Sequence, residues 1–245
     1  MAFVQEQLVA SAKNTASTTD TQTIVEPTSG ELIVSVISVD KTSGGLTVPS
    51  GFAAPNGDRI GTDYDSSAVS GSGAYKYSDS TETDLVWTLG NSDESNSAAL
   101  VYSGDIGNAD VDAQDDSGAG TTQDQTTGTT ANIANATSLG IAWWGIDSGV
   151  NFGGAVTTSN SYTQIVKENG TGGTSGLVVG QRTITVQAAQ ESSCSDVTTA
   201  DEMFGFIAVF NAAVAGGGRI MSSLAHQGGL AGMGGIAGIG GGLAG

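Results

Sequence analysis

Short apolar runs recur along the chain, separated by clusters of Gly, Ser, Thr, Asn and Asp, and most carry β-branched or aromatic residues. Residues 32–39 (LIVSVISV) are apolar on nearly both faces, as a strand in the middle of a sandwich must be. Residues 141–146 (IAWWGI) read the same way. The runs 85–89 (LVWTL) and 98–102 (AALVY) predict neighbouring strands joined by a polar hinge over 90–97. Ile184, Val186 and Ala188 alternate with Thr183, Thr185 and Gln187, the period of a strand with one wet face. Weaker runs at 21–25, 46–48, 74–77, 162–166 and 177–179 bring the expectation to about ten strands.

Turn chemistry agrees. Pro49-Ser50-Gly51, Pro55-Asn56-Gly57-Asp58 and Glu168-Asn169-Gly170 are places where the chain can reverse. From Asp105 to Ala131 large apolar groups are almost absent, which predicts a long exposed excursion at one end of the sandwich. One segment supports two readings. Met203, Phe206, Ile207, Phe210 and Val214 fit a helical stripe that Thr199 and Glu202 could cap, while the aromatic-rich MFGFIAVF with its Gly205 suits a buried final strand, the reading preferred here.

The carboxyl end obeys another rule. Of the last 30 residues 13 are Gly. Gly229, Gly232, Gly235, Gly238 and Gly241 recur every third residue, and Leu230, Met233, Ile236 and Ile239 follow at the same interval. A left-handed extended helix has three residues per turn, so this spacing stacks Gly along one edge and apolar groups along another. Only Gly lets neighbouring backbones approach that edge, which makes these nine residues candidates for assembly. Two other readings stand beside it: Gly234, Gly238 and Gly242 have the spacing of close-crossing membrane helices, and so Gly-rich a chain also suits a flexible terminus. The expected organisation is a β-sandwich domain over 1–214 and a glycine-rich assembly tail over 215–245.

Composition narrows the function. Seven basic against 25 acidic side chains give a net charge of −18, and the basic ones are scattered, which argues against nucleic acid and against an anionic membrane surface. No continuous run of strongly apolar residues is long enough for a membrane span. The first residues lack a basic start and apolar core, so no export signal is read there. A body poor in Lys and rich in Ser, Thr and Gly, without such a signal, fits a virion protein assembled in the host cytoplasm and exposed to the medium on the particle. Cys194, the single cysteine, can form neither an internal disulfide nor a thiolate metal cluster.

Catalytic groupings are scarce. The only histidine, His226, lies in the tail, and there is no phosphate loop, dinucleotide fingerprint or HExxH. The expectation is a protein without enzymatic activity and without a cofactor. Calcium is the one ion considered: Asp110, Asp112, Asp115 and Asp116 lie close in sequence, as do Asp58, Asp63 and Asp65, though neither run matches an EF-hand loop. Exposed aromatics bind sugars by stacking, and Trp143 with Trp144 are the candidates for glycan contact. Being consecutive in a strand they point to opposite faces, so one fills the sandwich interior and the other lies under a loop, at a subunit contact or in a binding patch.

The series Gly30-Glu31-Leu32-Ile33-Val34, Thr47-Val48-Pro49-Ser50-Gly51-Phe52, Leu85-Val86-Trp87-Thr88-Leu89, Ala99-Leu100-Val101-Tyr102-Ser103-Gly104 and Ala142-Trp143-Trp144-Gly145-Ile146-Asp147 resembles β-sandwich structural and adhesive virion proteins of tailed bacteriophages. There a GxLLVxxVS strand precedes a TVPxGW-like turn and an LxYSG strand. The resemblance spans about residues 1–212, with Phe52 standing where that pattern has Trp, and the tail is similar to a shortened polyglycine-II segment of tail-fibre adhesins. It implies an all-β, antiparallel, jelly-roll-like sandwich in a tail or tail-fibre component, forming a homo-oligomer such as a trimer with other virion proteins and contacting a host-surface glycan. A capsid decoration protein and a carbohydrate-binding module are the alternatives.

Overall fold

The two-faced apolarity of residues 32–39 has a direct structural cause. In the computed structural model, which describes residues 3–40, 44–52, 57–66, 68–104, 106–122, 124–133, 137–147, 152–169, 175–197 and 200–212, they form a strand, β2 (Leu32–Asp40), buried at every position. Something covers it on each side. Its neighbours are β1 (Val4–Thr23), β4 (Gly57–Asp65), β5 (Val69–Tyr77) and β6 (Asp84–Ser103), in the antiparallel order β1-β6-β2-β5-β4, with the short β3 (Leu46–Thr47) pairing with β6. The second sheet contains β7 (Ile106–Thr122), β9 (Ser138–Ile146), β11 (Thr163–Glu168), β12 (Gly176–Ile184) and β14 (Asp201–Ala212), in the order β11-β12-β9-β14-β7. A third, small sheet is β10-β13-β8, from β8 (Gln125–Thr126), β10 (Phe152–Thr158) and β13 (Ser193–Val197). No described residue is helical.

The protein is thus an all-β antiparallel sandwich. Strands are allotted by halves of the chain, rather than dealt alternately to the two sheets as in a jelly roll. The main core lies between the two large sheets, where Leu32, Val34 and Val36 of β2 and Leu100 of β6 meet Trp143 of β9 and Phe204, Phe206 and Phe210 of β14. Trp143 stacks on Phe206 with centroids 5.0 Å apart. Glycine makes the room. A Cβ at Gly73 would lie 2.4 Å from the Trp143 ring, and one at Gly71 or Gly145 would run into Phe204. This is where part of the Gly excess goes.

The other face of β2 is covered by the β1–β6 pair folding back on itself. Residues 4–13 of β1 pair with 95–103 of β6, then the register jumps, and 19–23 pair with 84–88. The turned-back part lays Leu85, Trp87, Leu89 and Leu46 on Ile33, Ile37, Val39 and Val101. Polar groups caught beneath it are satisfied: Trp87 Nε1 donates to Ser35 Oγ at 2.8 Å, Ser35 Oγ to Gln22 Oε1 at 2.8 Å, and Ser95 and Ser97 donate to the two oxygens of Asp20. On the far side of the second sheet, Trp144, Ile146 and Met203 are covered by Phe152, Tyr162 and Cys194.

Several expectations change. The polar hinge over 90–97 is not a loop, because residues 84–103 run as one strand whose Ser95, Asn96 and Ser97 are fully buried. The excursion over 105–131 is largely β7, paired with β14. The alternating residues 183–188 leave the sheet at Ile184, and Val186 is 53% exposed. Met203–Phe210 is a strand, placed between β9 and β7 in its sheet and buried throughout. The tail over 215–245, with its assembly candidates and His226, lies outside the described residues, which end at Ala212.

Candidate functional site

Trp143 and Trp144 do point to opposite faces of β9, but both are fully buried, Trp143 in the main core and Trp144 beneath the small sheet. Neither ring offers a face to a sugar, which corrects the glycan candidates. Trp144 was open to that reading because its cover, β8, β10 and β13, is short and polar. The calcium candidates Asp110, Asp112, Asp115 and Asp116 all lie on β7, the terminal strand of its sheet; their side chains fall outside the described part. In the other acidic run Asp63 pairs with Arg59, and Asp65 accepts a hydrogen bond from Ser70. Cys194 is inert as a nucleophile: burial, reinforced by the charge of Asp124, pushes its thiol up to about 12.

A cleft opens at the end of the sandwich where both sheets finish. Phe3 just before β1, Gln5 at its start and Tyr102 from the end of β6 form one wall; Leu139, Thr163, Gln181, Arg182 and Thr183 form the other, with Ser161 at the rim and a volume near 460 Å³. The Tyr102 hydroxyl donates to Gln181 Oε1 at 2.7 Å, which joins the two sheets across the floor. Burial raises the Tyr102 pKa far above that of a free phenol, so the hydroxyl stays a donor at any working pH.

The rim is the most strained backbone among the described non-glycine residues. Asn160 and Ser161 are consecutive left-handed residues at φ 55° and 62°. Such a conformation costs roughly 1–2 kcal/mol per residue, less for Asn, and persists only where the surroundings impose it. They do so here. Arg182 Nη1 donates to Asn160 O at 2.8 Å, Asn160 Nδ2 to Glu191 O at 2.7 Å, and Ser193 N to Ser159 Oγ at 2.8 Å. The cleft therefore presents amide, guanidinium and hydroxyl groups on a fixed frame. The described residues of its lining offer hydrogen-bonding groups suited to hold a polar ligand.

A second, shallower hollow contains the buried ion pair of Lys76 with Glu82. Asp79 joins Lys76 at 3.2 Å, and Ser78 Oγ donates to Glu82 at 2.7 Å. Burial pulls the Lys76 ammonium down, but Glu82 and Asp79 outweigh it and the net shift is upward. Burial likewise lifts Glu82, and the hydrogen bonds from Lys76 and Ser78 overcome that and hold it low. This group clamps the turn between β5 and β6.

No family model, curated protein or solved structure matches the chain. Among the described residues no helix is long and apolar enough to cross a membrane.

Proposed function

We propose that this chain is a non-enzymatic structural component of a tailed-phage particle, placed on the tail or a tail fibre and built into a homo-oligomer. The observation that carries the reading is the edge of the first sheet. β1 is 20 residues long, has no strand beyond it among the described residues, and exposes Val4 and Leu8 at 51% and 39%. Over residues 4–12 its only charged side chain is Glu6. Proteins that stay single blunt such an edge with charges, Pro or a cover, whereas an uncharged, partly apolar edge is a template for pairing with another chain.

The test has two parts. Light scattering on the purified full-length chain is expected to give a multimer that Leu8→Lys reduces to the single-chain mass. Gold-labelled antibody on purified particles is expected at the tail. Label over the head would move the protein to capsid decoration, and its absence from particles would overturn the virion reading.

The end cleft supports a second role for the same protein, contact with a neutral or acidic host-surface glycan. Its amides, hydroxyls and the Arg182 guanidinium are the groups that hydrogen-bond sugar hydroxyls and carboxylates. Glycan-array binding lost in Arg182→Ala with the fold intact supports that contact; no binding by the native chain removes it.

A further inference from the structure

Arg182, in the wall of the end cleft, is held differently from the other placed cations. Arg59 pairs with Asp63, and Lys76 pairs with Glu82 and Asp79. Arg182 instead spends Nη1 on a neutral backbone carbonyl, Asn160 O, at 2.8 Å, and no carboxylate among the described residues pairs with it, although the chain has 25 acidic side chains. A bond to a carbonyl fixes a guanidinium without neutralising it. The Nε–Nη2 edge, which matches a carboxylate through two parallel hydrogen bonds, has no partner among the described residues.

The neighbouring groups are set to donate as well. Gln181 and Thr183 share the face of β12 that carries Leu177 and Val179 into the main core, and Thr163 of β11 lies directly opposite Gln181. The Tyr102 hydroxyl donates to Gln181 Oε1, which occupies the acceptor end of that amide and leaves its N–H₂ end for a ligand. A buried phenol that stays protonated holds the amide in this orientation. The rim adds an independent sign. Ser161, which lines the cleft, sits at φ 62° beside Asn160 at φ 55°, and it is the Asn160 carbonyl that anchors Arg182. Strain of this kind in non-glycine backbone collects where the position of a group matters more than local stability. Half-buried Phe3 supplies apolar surface for the C–H face of a sugar ring, and a volume near 460 Å³ is that of a small-ligand site.

Taking the end cleft as the glycan contact proposed above, we propose that its ligand is a saccharide bearing a carboxylate, a uronic or sialic acid. The carboxylate sits on the Nε–Nη2 edge of Arg182 and the Gln181 amide N–H, and ring hydroxyls bond Thr163, Thr183 and the amide of Gln5. This rests on the glycan reading and deepens it: the guanidinium selects the acidic member of each sugar pair.

Calorimetry on the full-length chain uses a galacturonic acid trisaccharide and a sialyl trisaccharide, each beside its counterpart with the carboxylate reduced to an alcohol, and triglycine as a carboxylate without a sugar. At least one acidic probe is expected to bind, its reduced counterpart about tenfold more weakly or worse, and triglycine not at all. Arg182→Lys keeps the charge but not the fork and is expected to weaken the acidic probe about tenfold. Gln181→Glu still accepts the Tyr102 proton, so the floor is kept, but it sets a like charge against the ligand; it is expected to abolish binding of the acidic probe and to leave the reduced one within about threefold. Equal affinity for acidic and reduced probes overturns the carboxylate inference and leaves the glycan contact standing. Binding of no saccharide at about 10 mM removes the contact and the inference together. Tighter binding of triglycine than of either saccharide, or native affinity in Gln181→Glu, overturns the inference equally.

Discussion

Adding one methyl group at Gly71 tests the close approach of the two sheets. A Cβ there would lie 2.0 Å from Phe204 Cζ, 2.4 Å from Cε2 and 2.5 Å from Cε1. Carbon atoms pack at about 3.5–4.0 Å, so the ring must withdraw by about 1.5 Å. It has nowhere to go. Tyr64 and Phe206 hold it at centroid distances of 5.6 and 5.5 Å, and a Cβ at Gly145 would meet the same ring at 2.2 Å. Overpacking of this kind costs about 1–3 kcal/mol, and with both flanks closed Gly71→Ala belongs at about 3. Phe204→Leu removes the ring edge that clashes and loses about 1–3 kcal/mol of its own.

If the argument is right the two changes compensate. Simple addition would give about 5 kcal/mol, whereas the double variant should lose about 3, a coupling of about 2 kcal/mol. Urea unfolding of all four proteins, followed by tryptophan emission, measures this directly because all three tryptophans are fully buried. Additivity within about 0.5 kcal/mol, or a Gly71→Ala protein as stable as the native one, would refute the reasoning.

The ion pair near the β5–β6 turn gives two further expectations. Lys76→Ala leaves the Glu82 carboxylate buried without its cation and should cost about 3 kcal/mol in urea unfolding, with a small effect contradicting the burial. Glu82 is held below its ordinary value of 4.5, so its contribution is present above that pH and lost as pH falls through the lower folded value; Glu82→Gln should flatten the stability–pH curve there. Cys194, pushed up to about 12, should resist a thiol reagent at pH 8 in the native protein and react in urea, whereas rapid native labelling would contradict its placement.

What the sequence disclosed depended on where each strand lies. β2, β9 and β14 are apolar on both faces because both faces are covered, and runs such as LIVSVISV state that locally. β1 and β7 are terminal strands held by their neighbours' backbones, so most of VASAKNTASTTDTQT gave no strand signal beyond the weak run at 21–25, and the polar stretch of β7 read as an exposed excursion. The polar middle of β6 read as a hinge because its partners are remote: Ser95 and Ser97 bond Asp20, and Asn96 bonds Ser175. Opposed Trp143 and Trp144 followed from strand alternation, yet nothing near them in sequence indicated the small sheet that closes over Trp144. The end cleft likewise gathers Tyr102 and Gln181 from different halves of the chain.

The allotment of strands by halves sets the order of events during synthesis. Among the described residues every strand partner of β1 to β6 lies within the first 103 residues, so that sheet can zip up while the ribosome is still making the rest. Until β9 and β14 emerge, it displays Leu32, Val34, Val36 and Leu100 to solvent as a bare greasy wall. A nascent chain stalled midway should therefore be a target for chaperones, and ribosome pausing beyond residue 103 should govern the yield of soluble protein.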